Sequence, residues 1–368
     1  MAKNGMRVMD SDLHVVEPRT LWEDYLDPKF RGRIVTVPGD YGSTRAHVDG
    51  RVMPPYADRP ERQRAWSFRY KRPGAERLHR GSKPKEALEA MDIEGIDVGI
   101  LFRTWATQAI NIDGLEPVFA AAMSRAWNRW IADFCQESPE RLKATALIPL
   151  QDIDLAVAEA RVAVRDLGAI TLVLPSHMVN NRPIYDRYYD PLWEAAQDMN
   201  VTVSFHGNHA VYAEHLAKRY LDNLVLSHVC GQPVEMMLTL GAVLTGGILS
   251  RFPRLRMAFL EGNCSWLPWW LWALDERWEA WGDSELWGQK EEPSELFHRQ
   301  CWVSIEPEEK LAKHVVAELG DDNFVVSTDW PHDDSRYPHA IDTFLELPLD
   351  KESQKKVLWD NCAKLYNL

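Results

Sequence analysis

In "VMDSDLHVVEP" (8–18), close to the start of the chain, Asp10, Asp12 and His14 occupy alternate positions inside an apolar segment. A strand sends alternate side chains to one face, so two acids and an imidazole would converge there. Carboxylate with imidazole suits iron, manganese, zinc or nickel, and the lack of thiolate pairs argues against a structural zinc. Residues of the same kinds close later apolar runs: His177 in "LPSHMV", His206 in "SFHGN", His228 in "LSHVCG", Glu261 in "FLEGN", and Asp329 with His332 in "STDWPHDD". A lone strand-end histidine is ordinarily a satisfied structural residue. Several at successive strand ends call for a cation, because unpaired buried charge is costly.

The elements that would position these groups are short β-branched runs alternating with helical patterns. Strands are expected at 7–15, 98–104, 144–150, 169–175, 201–207, 224–229, 256–262 and 324–330, with helices at 117–138, 154–168 and 190–200 among those between them. Continuous apolar strands separated by helices read as a parallel sheet covered by helices. Eight such units predict an α/β fold, a (β/α)8 TIM barrel formed by a single domain over 1–368. A doubly wound sheet is disfavoured, because no glycine-rich phosphate loop follows the first strand. In a barrel the functional groups gather at the C-terminal strand ends, which is where Asp12, His14, His206, His228, Glu261 and Asp329 fall.

One irregularity is a long connection at about 31–88, between the first and second strands. From Asp58 to Lys83 it carries nine Arg or Lys against three Asp or Glu. A connection of that length suggests a lid, whose Arg69, Lys71 and Arg72 could meet an anionic substrate such as a phosphate. A tryptophan-rich stretch, "SWLPWWLWALDERW", follows Glu261. Trp266 and Trp269 are candidates to wall an apolar pocket, although such a helix more often serves as core or subunit interface.

Bulk properties restrict the partners. A net charge of −13 over 368 residues speaks against general nucleic-acid binding. The five scattered cysteines point to reduced thiols in a cytoplasm. No apolar run approaches the roughly 18 residues that span a bilayer, and the N-terminus lacks the apolar core of a secretory signal.

The order D-x-H on the first strand, then His, His and Asp on later ones, resembles the amidohydrolase superfamily. More narrowly it is similar to the branch of aminocarboxymuconate-semialdehyde and resorcylate decarboxylases, through "DSDLHVVEP", "DRYYDPLWEAAQDMNVTVSFHGN", "RFPRLRMAFLEGNCSWLP" and "STDWPHDD". That branch carries H-x-H or E-x-H on its first strand, whereas this chain has Asp12-Leu13-His14. In this respect, and in its L-E-G around Glu261, the chain looks like barrel proteins that are nonheme diiron monooxygenases acting on CoA-linked substrates.

The resemblance implies a metal shell of Asp12, His14, His206 and Asp329, with Glu261 and either His228 or His332 completing a second iron. The leading expectation is therefore a two-iron monooxygenase using dioxygen to hydroxylate a bulky apolar acyl group, free or as a coenzyme A thioester. His228 and His332 would be its proton donors or further ligands. The alternative is a single-metal decarboxylase or hydrolase of a carboxylic acid, holding Zn or Mn at Asp12, His14, His206 and Asp329, with His228 as general acid or base. Within the branch homodimers are common.

Overall fold

A computed structural model of the chain describes residues 3, 5–38, 44–53, 60, 75–207, 223–282 and 288–368. Its centre is eight strands: β1 (Met9–Val15), β2 (Val98–Arg103), β3 (Leu142–Leu147), β4 (Thr171–Leu174), β5 (Thr202–His206), β6 (Met257–Leu260), β7 (Cys301–Ile305) and β8 (Phe324–Val326). Each pairs in parallel with its neighbour in chain order. The two ends of the sheet meet: the Asp329 N–H donates to the Asp12 carbonyl at 3.2 Å, and the His14 N–H to the Trp330 carbonyl at 2.7 Å. The result is an α/β TIM barrel.

Helices follow the strands as the periodicity predicts. They include α1 (Pro84–Glu94), α2 (Pro117–Cys135), α3 (Ile153–Arg165), α4 (Asp190–Asp198), α5 (Leu224–Val229), α6 (Glu235–Thr245), α7 (Leu267–Trp281) and α8 (Pro293–Gln300). Local signals set their starts: α2 and α4 have proline in the first turn, and the Asp152 carboxylate caps α3 by accepting the Leu155 N–H at 3.0 Å. The strands are almost wholly buried, and Phe205 stacks on Phe259 across β5 and β6 with centroids 5.4 Å apart.

One strand expectation is corrected. Residues 224–229 form helix α5, so His228 does not close a strand. The apolar run was too short to separate strand from helix. Its helical cues are the Asn223 side chain, which accepts the Leu226 N–H at 3.0 Å, and the surface positions of Val225 and Val229. The missing barrel strand is β7, "CWVSI", which begins directly after α8 with no turn residue between.

The connection between β1 and β2 contains a three-stranded antiparallel sheet, Ile34–Pro38, Thr44–Val48 and Arg51–Met53. It ends in the turn Ala75–Ser82. There the Gly81 carbonyl accepts the Val16 N–H at 3.0 Å, and a Cβ on Gly81 would lie 2.7 Å from Pro331 Cγ. This end of the insertion therefore rests on the C-terminal rim of the barrel, beside the loop after β8. Arg69, Lys71 and Arg72 lie outside the described residues.

Candidate metal centre

β1 presents Asp12 and His14 despite a register shift against β2 between Asp10 and Leu13. Asp10 is turned to a different task. Its carboxylate accepts the Asp12 and Thr328 N–H groups and the Thr328 hydroxyl, tying β1 to the segment after β8. Burial pushes Asp10 up to about 7, against the downward pull of the Thr328 hydroxyl. β5 ends in His206, and Glu261 and Asp329 follow β6 and β8.

These side chains converge. His14 Nε2 lies 3.0 Å from His206 Nε2, 3.4 Å from Asp12 Oδ1, 3.2 Å from Asp329 Oδ1 and 3.8 Å from Glu261 Oε2. His206 Nε2 lies 3.2 Å from Asp12 Oδ1 and 2.9 Å from Glu261 Oε2. All five residues are buried. Glu261 and Asp329 hold φ of 54° and 58°, a left-handed conformation uncommon outside glycine and concentrated at functional sites.

The arrangement fits a divalent cation. Two donors bound at about 2.1 Å and at right angles to one ion sit about 3.0 Å apart, the separation of the two Nε2 atoms. Asp12 Oδ1 is buried and accepts no hydrogen bond, a costly state unless a cation faces it. The Nδ1 of His14 meets the Arg103 carbonyl at 2.9 Å, and that of His206 meets the Gly207 carbonyl at 3.0 Å. A carbonyl only accepts, so each Nδ1 carries the hydrogen and each Nε2 is the ring's free donor to an ion.

The electrostatics agree. Burial, with His332 beside it, lowers the pKa of His14 and keeps it neutral. Burial opposes charge on His206 too, but Asp12 and Glu261 outweigh it and raise that ring to about 10. Burial pushes the Glu261 carboxyl up, and His206 overcomes this to hold it far below the usual range. The carboxylates draw a positive charge into the site, and without a metal a proton on His206 supplies it.

The other expected residues fall around this point. His332 Nδ1 contacts Asp329 Oδ1 at 2.6 Å, and its ring packs 4.2 Å from that of His14. His228, from α5, reaches Asp334 Oδ2 at 3.2 Å. His177 Nε2 meets the Asn111 carbonyl at 3.1 Å. Trp266 donates its indole N–H to the Gly262 carbonyl at 2.7 Å, next to Glu261, whereas Trp269 on α7 is 57% exposed.

Three residues around the centre, two of them buried, escaped the sequence reading. Arg103 closes β2, where a single arginine after an apolar run gave no sign of its partners. Glu309 accepts the Cys264 and Ser265 N–H groups at 2.8 and 2.7 Å and so pins the loop that carries Glu261. Glu306, just after β7, is held well above the usual carboxyl range by burial and by the nearby Asp329 and Glu261. Both glutamates follow the strand that was not read; recognising β7 would have exposed them.

A TIM barrel whose C-terminal strand ends gather two imidazoles and three carboxylates is a barrel protein with a candidate metal centre. The chain belongs to the amidohydrolase family, whose sequence pattern matches residues 10–368. Gamma-resorcylate decarboxylase of Polaromonas sp. strain JS666 is 26% identical over 76% of this chain and 85% of its own length. Among solved structures, an amidohydrolase from Mycobacterium avium subsp. paratuberculosis K-10 superposes with a TM-score of 0.78 at 21% identity, covering 98% of this chain and 99% of that one. Dihydroxybenzoic acid decarboxylase from Polaromonas sp. JS666, with bound manganese and the inhibitor 2-nitroresorcinol, gives 0.70 at 19% identity over 99% and 97%.

These relatives overturn the leading expectation. The curated relatives and the manganese-bound structure are decarboxylases, not oxidoreductases. The site itself disfavours two irons. The clusters Asp12–His14–His206–Glu261 and His14–Asp329–His332 share His14, whose single free lone pair cannot serve two ions. Iron, dioxygen and acyl-CoA are therefore withdrawn. Among the described residues no helix is long and apolar enough to cross a membrane.

Proposed function

We propose that the chain is a single-metal decarboxylase of a hydroxylated aromatic carboxylic acid. Manganese is the preferred ion and zinc the alternative. The observation that carries this reading is the convergence of His14 and His206 Nε2 with the carboxylates of Asp12 and Glu261, with Asp329 Oδ1 3.2 Å from His14 Nε2 on the side of His332. A nitrogen and oxygen donor set without thiolate suits manganese, and the manganese-bound decarboxylase relative supports that choice.

Asp12, His14, His206, Glu261 and Asp329 would hold the ion. When bound it would act as a Lewis acid on the substrate's carboxylate and neighbouring hydroxyl. The chain's own part is to orient the acid and handle one proton. The bond between ring carbon and carboxylate breaks, its electron pair stays on the ring carbon, CO2 leaves, and a proton joins that carbon. No oxidant or reductant is consumed. His228, with Asp334 at 3.2 Å fixing one ring nitrogen, supplies the proton. His332, held by Asp329 and packed on His14, borders the substrate space, and Trp266 lines its apolar side.

The test is CO2 release from 2,6-dihydroxybenzoate and from hydroxybenzoates bearing the carboxylate at other positions, with Mn2+ and without it. Metal-dependent CO2 release that His206→Ala abolishes supports the reading. Absence of CO2 from the whole panel, with the ion bound, overturns it.

A further inference from the structure

Arg103 is fully inside the protein, yet among the described residues no carboxylate forms an ion pair with it. Its guanidinium is spent on a threonine hydroxyl and backbone carbonyls instead. Nε donates to Thr107 Oγ1 at 2.7 Å, and one terminal nitrogen donates to the Gly207 carbonyl at 2.8 Å, with the His206 carbonyl at 3.4 Å. That Gly207 carbonyl also accepts from His206 Nδ1 at 3.0 Å. On the other side, the carbonyl of Arg103 itself accepts from His14 Nδ1 at 2.9 Å. One residue thus lies behind both imidazoles of the centre, although His14 and His206 come from β1 and β5.

Its charge matters as well. The acids whose field reaches it include Glu261, Glu17, Asp12 and Glu235. Three ligand carboxylates around one divalent ion leave an excess negative charge in a buried site, and a fixed guanidinium offsets it. Glycine at 207 permits the contact: a Cβ there would lie 2.9 Å from Gln232 Cγ.

We infer that Arg103 is the positioning residue of the metal centre: its guanidinium holds the Gly207 carbonyl that fixes the Nδ1–H tautomer of His206 and offsets the carboxylate charge, while its main-chain carbonyl, which substitution leaves in place, fixes that of His14. The inference rests on the metal-centre reading above. Outer partners of metal-bound histidines are typically worth 10–100-fold in affinity.

The test is Mn2+ affinity, read from the free-ion electron paramagnetic resonance signal in titrations of the full chain. Arg103→Gln should bind Mn2+ about 10–100-fold more weakly, and Arg103→Lys, which keeps the charge and one donor, should recover part of the loss. Wild-type affinity in a folded Arg103→Gln variant, or no recovery in Arg103→Lys, overturns the inference. If near-ultraviolet circular dichroism shows Arg103→Gln unfolded, Thr107→Val replaces it, because it frees only the Nε anchor. Weaker binding there supports the role, and unchanged binding overturns it. A wild-type chain that binds no Mn2+ would instead overturn the metal-centre reading itself.

Discussion

The Nε2 atoms of His14 and His206 stand 3.0 Å apart, and each ring has already given its Nδ1 hydrogen to a backbone carbonyl. Each imidazole can therefore bind one ion and cannot bridge two, and their 3.0 Å spacing is that of two donors on the same ion. Elemental analysis of protein purified without chelator should find about one divalent ion per chain, on the one-lone-pair argument. His14→Ala or His206→Ala should lower that content severalfold. Two ions per chain would refute the argument.

Asp12 predicts a trade of stability against function. Its Oδ1 is buried and accepts no hydrogen bond of good geometry, so in the metal-free chain its charge is met only by a protonated His206 at 3.2 Å, shared with Glu261. Asp12→Asn should raise the melting temperature of the chelator-treated protein and abolish the stabilisation by Mn2+. In the wild type, Mn2+ at a hundredfold excess over its Kd should add about 2.7 kcal/mol. Differential scanning fluorimetry with and without Mn2+ checks both statements.

What the sequence made legible follows from local pattern. Alternation in β1 exposed Asp12 and His14, and the apolar strand ends exposed His206, Glu261 and Asp329. The order of elements implied the barrel. The misreading of 224–229 arose because a six-residue run with four apolar residues fits either period, and what separates the two is surface exposure, which sequence does not display. Arg103 was silent for a different reason: its partners His206 and Gly207 are 103 and 104 positions away. The direction of each imidazole's free nitrogen was equally hidden. It depends on where each imidazole hydrogen goes, and that is fixed by carbonyls brought in through the fold.

Glu17 predicts a pH dependence separate from the metal. Its buried carboxylate accepts the Ala106 N–H at 3.1 Å and the Trp127 indole N–H at 3.2 Å, and burial still raises its pKa from the ordinary 4.5. The folded chain thus keeps this proton to higher pH than the unfolded chain. Between 4.5 and the raised value the folded state binds more protons, so stability falls as pH rises through that window. In chelator-treated protein, Glu17→Gln should flatten this fall. Urea unfolding of both proteins from about pH 5 to about pH 7 measures it, and equal slopes would remove Glu17 as the cause.

Gly81 links the insertion to the centre. A Cβ there would stand 2.7 Å from Pro331 Cγ and 2.9 Å from Val16 Cγ2, and neither neighbour is the far end of a flexible chain. Pro331 lies between the Asp329–Trp330 pair bonded to β1 and His332, so any relief must move the loop that carries Asp329 and His332 or lift the Ala75–Ser82 turn off the rim. Overpacking of this kind costs about 1–3 kcal/mol. Gly81→Ala should therefore weaken Mn2+ binding and lower kcat together, because Asp329 and His332 share the displaced loop. Gly320→Ala makes the control: nothing lies within 4 Å of its Cβ, although its φ of 79° also disfavours a side chain. It should lose stability through backbone strain alone and keep its Mn2+ affinity. Equal Mn2+ affinities for the wild type and Gly81→Ala would show that the turn gives way outward and that the rim contact leaves the centre undisturbed.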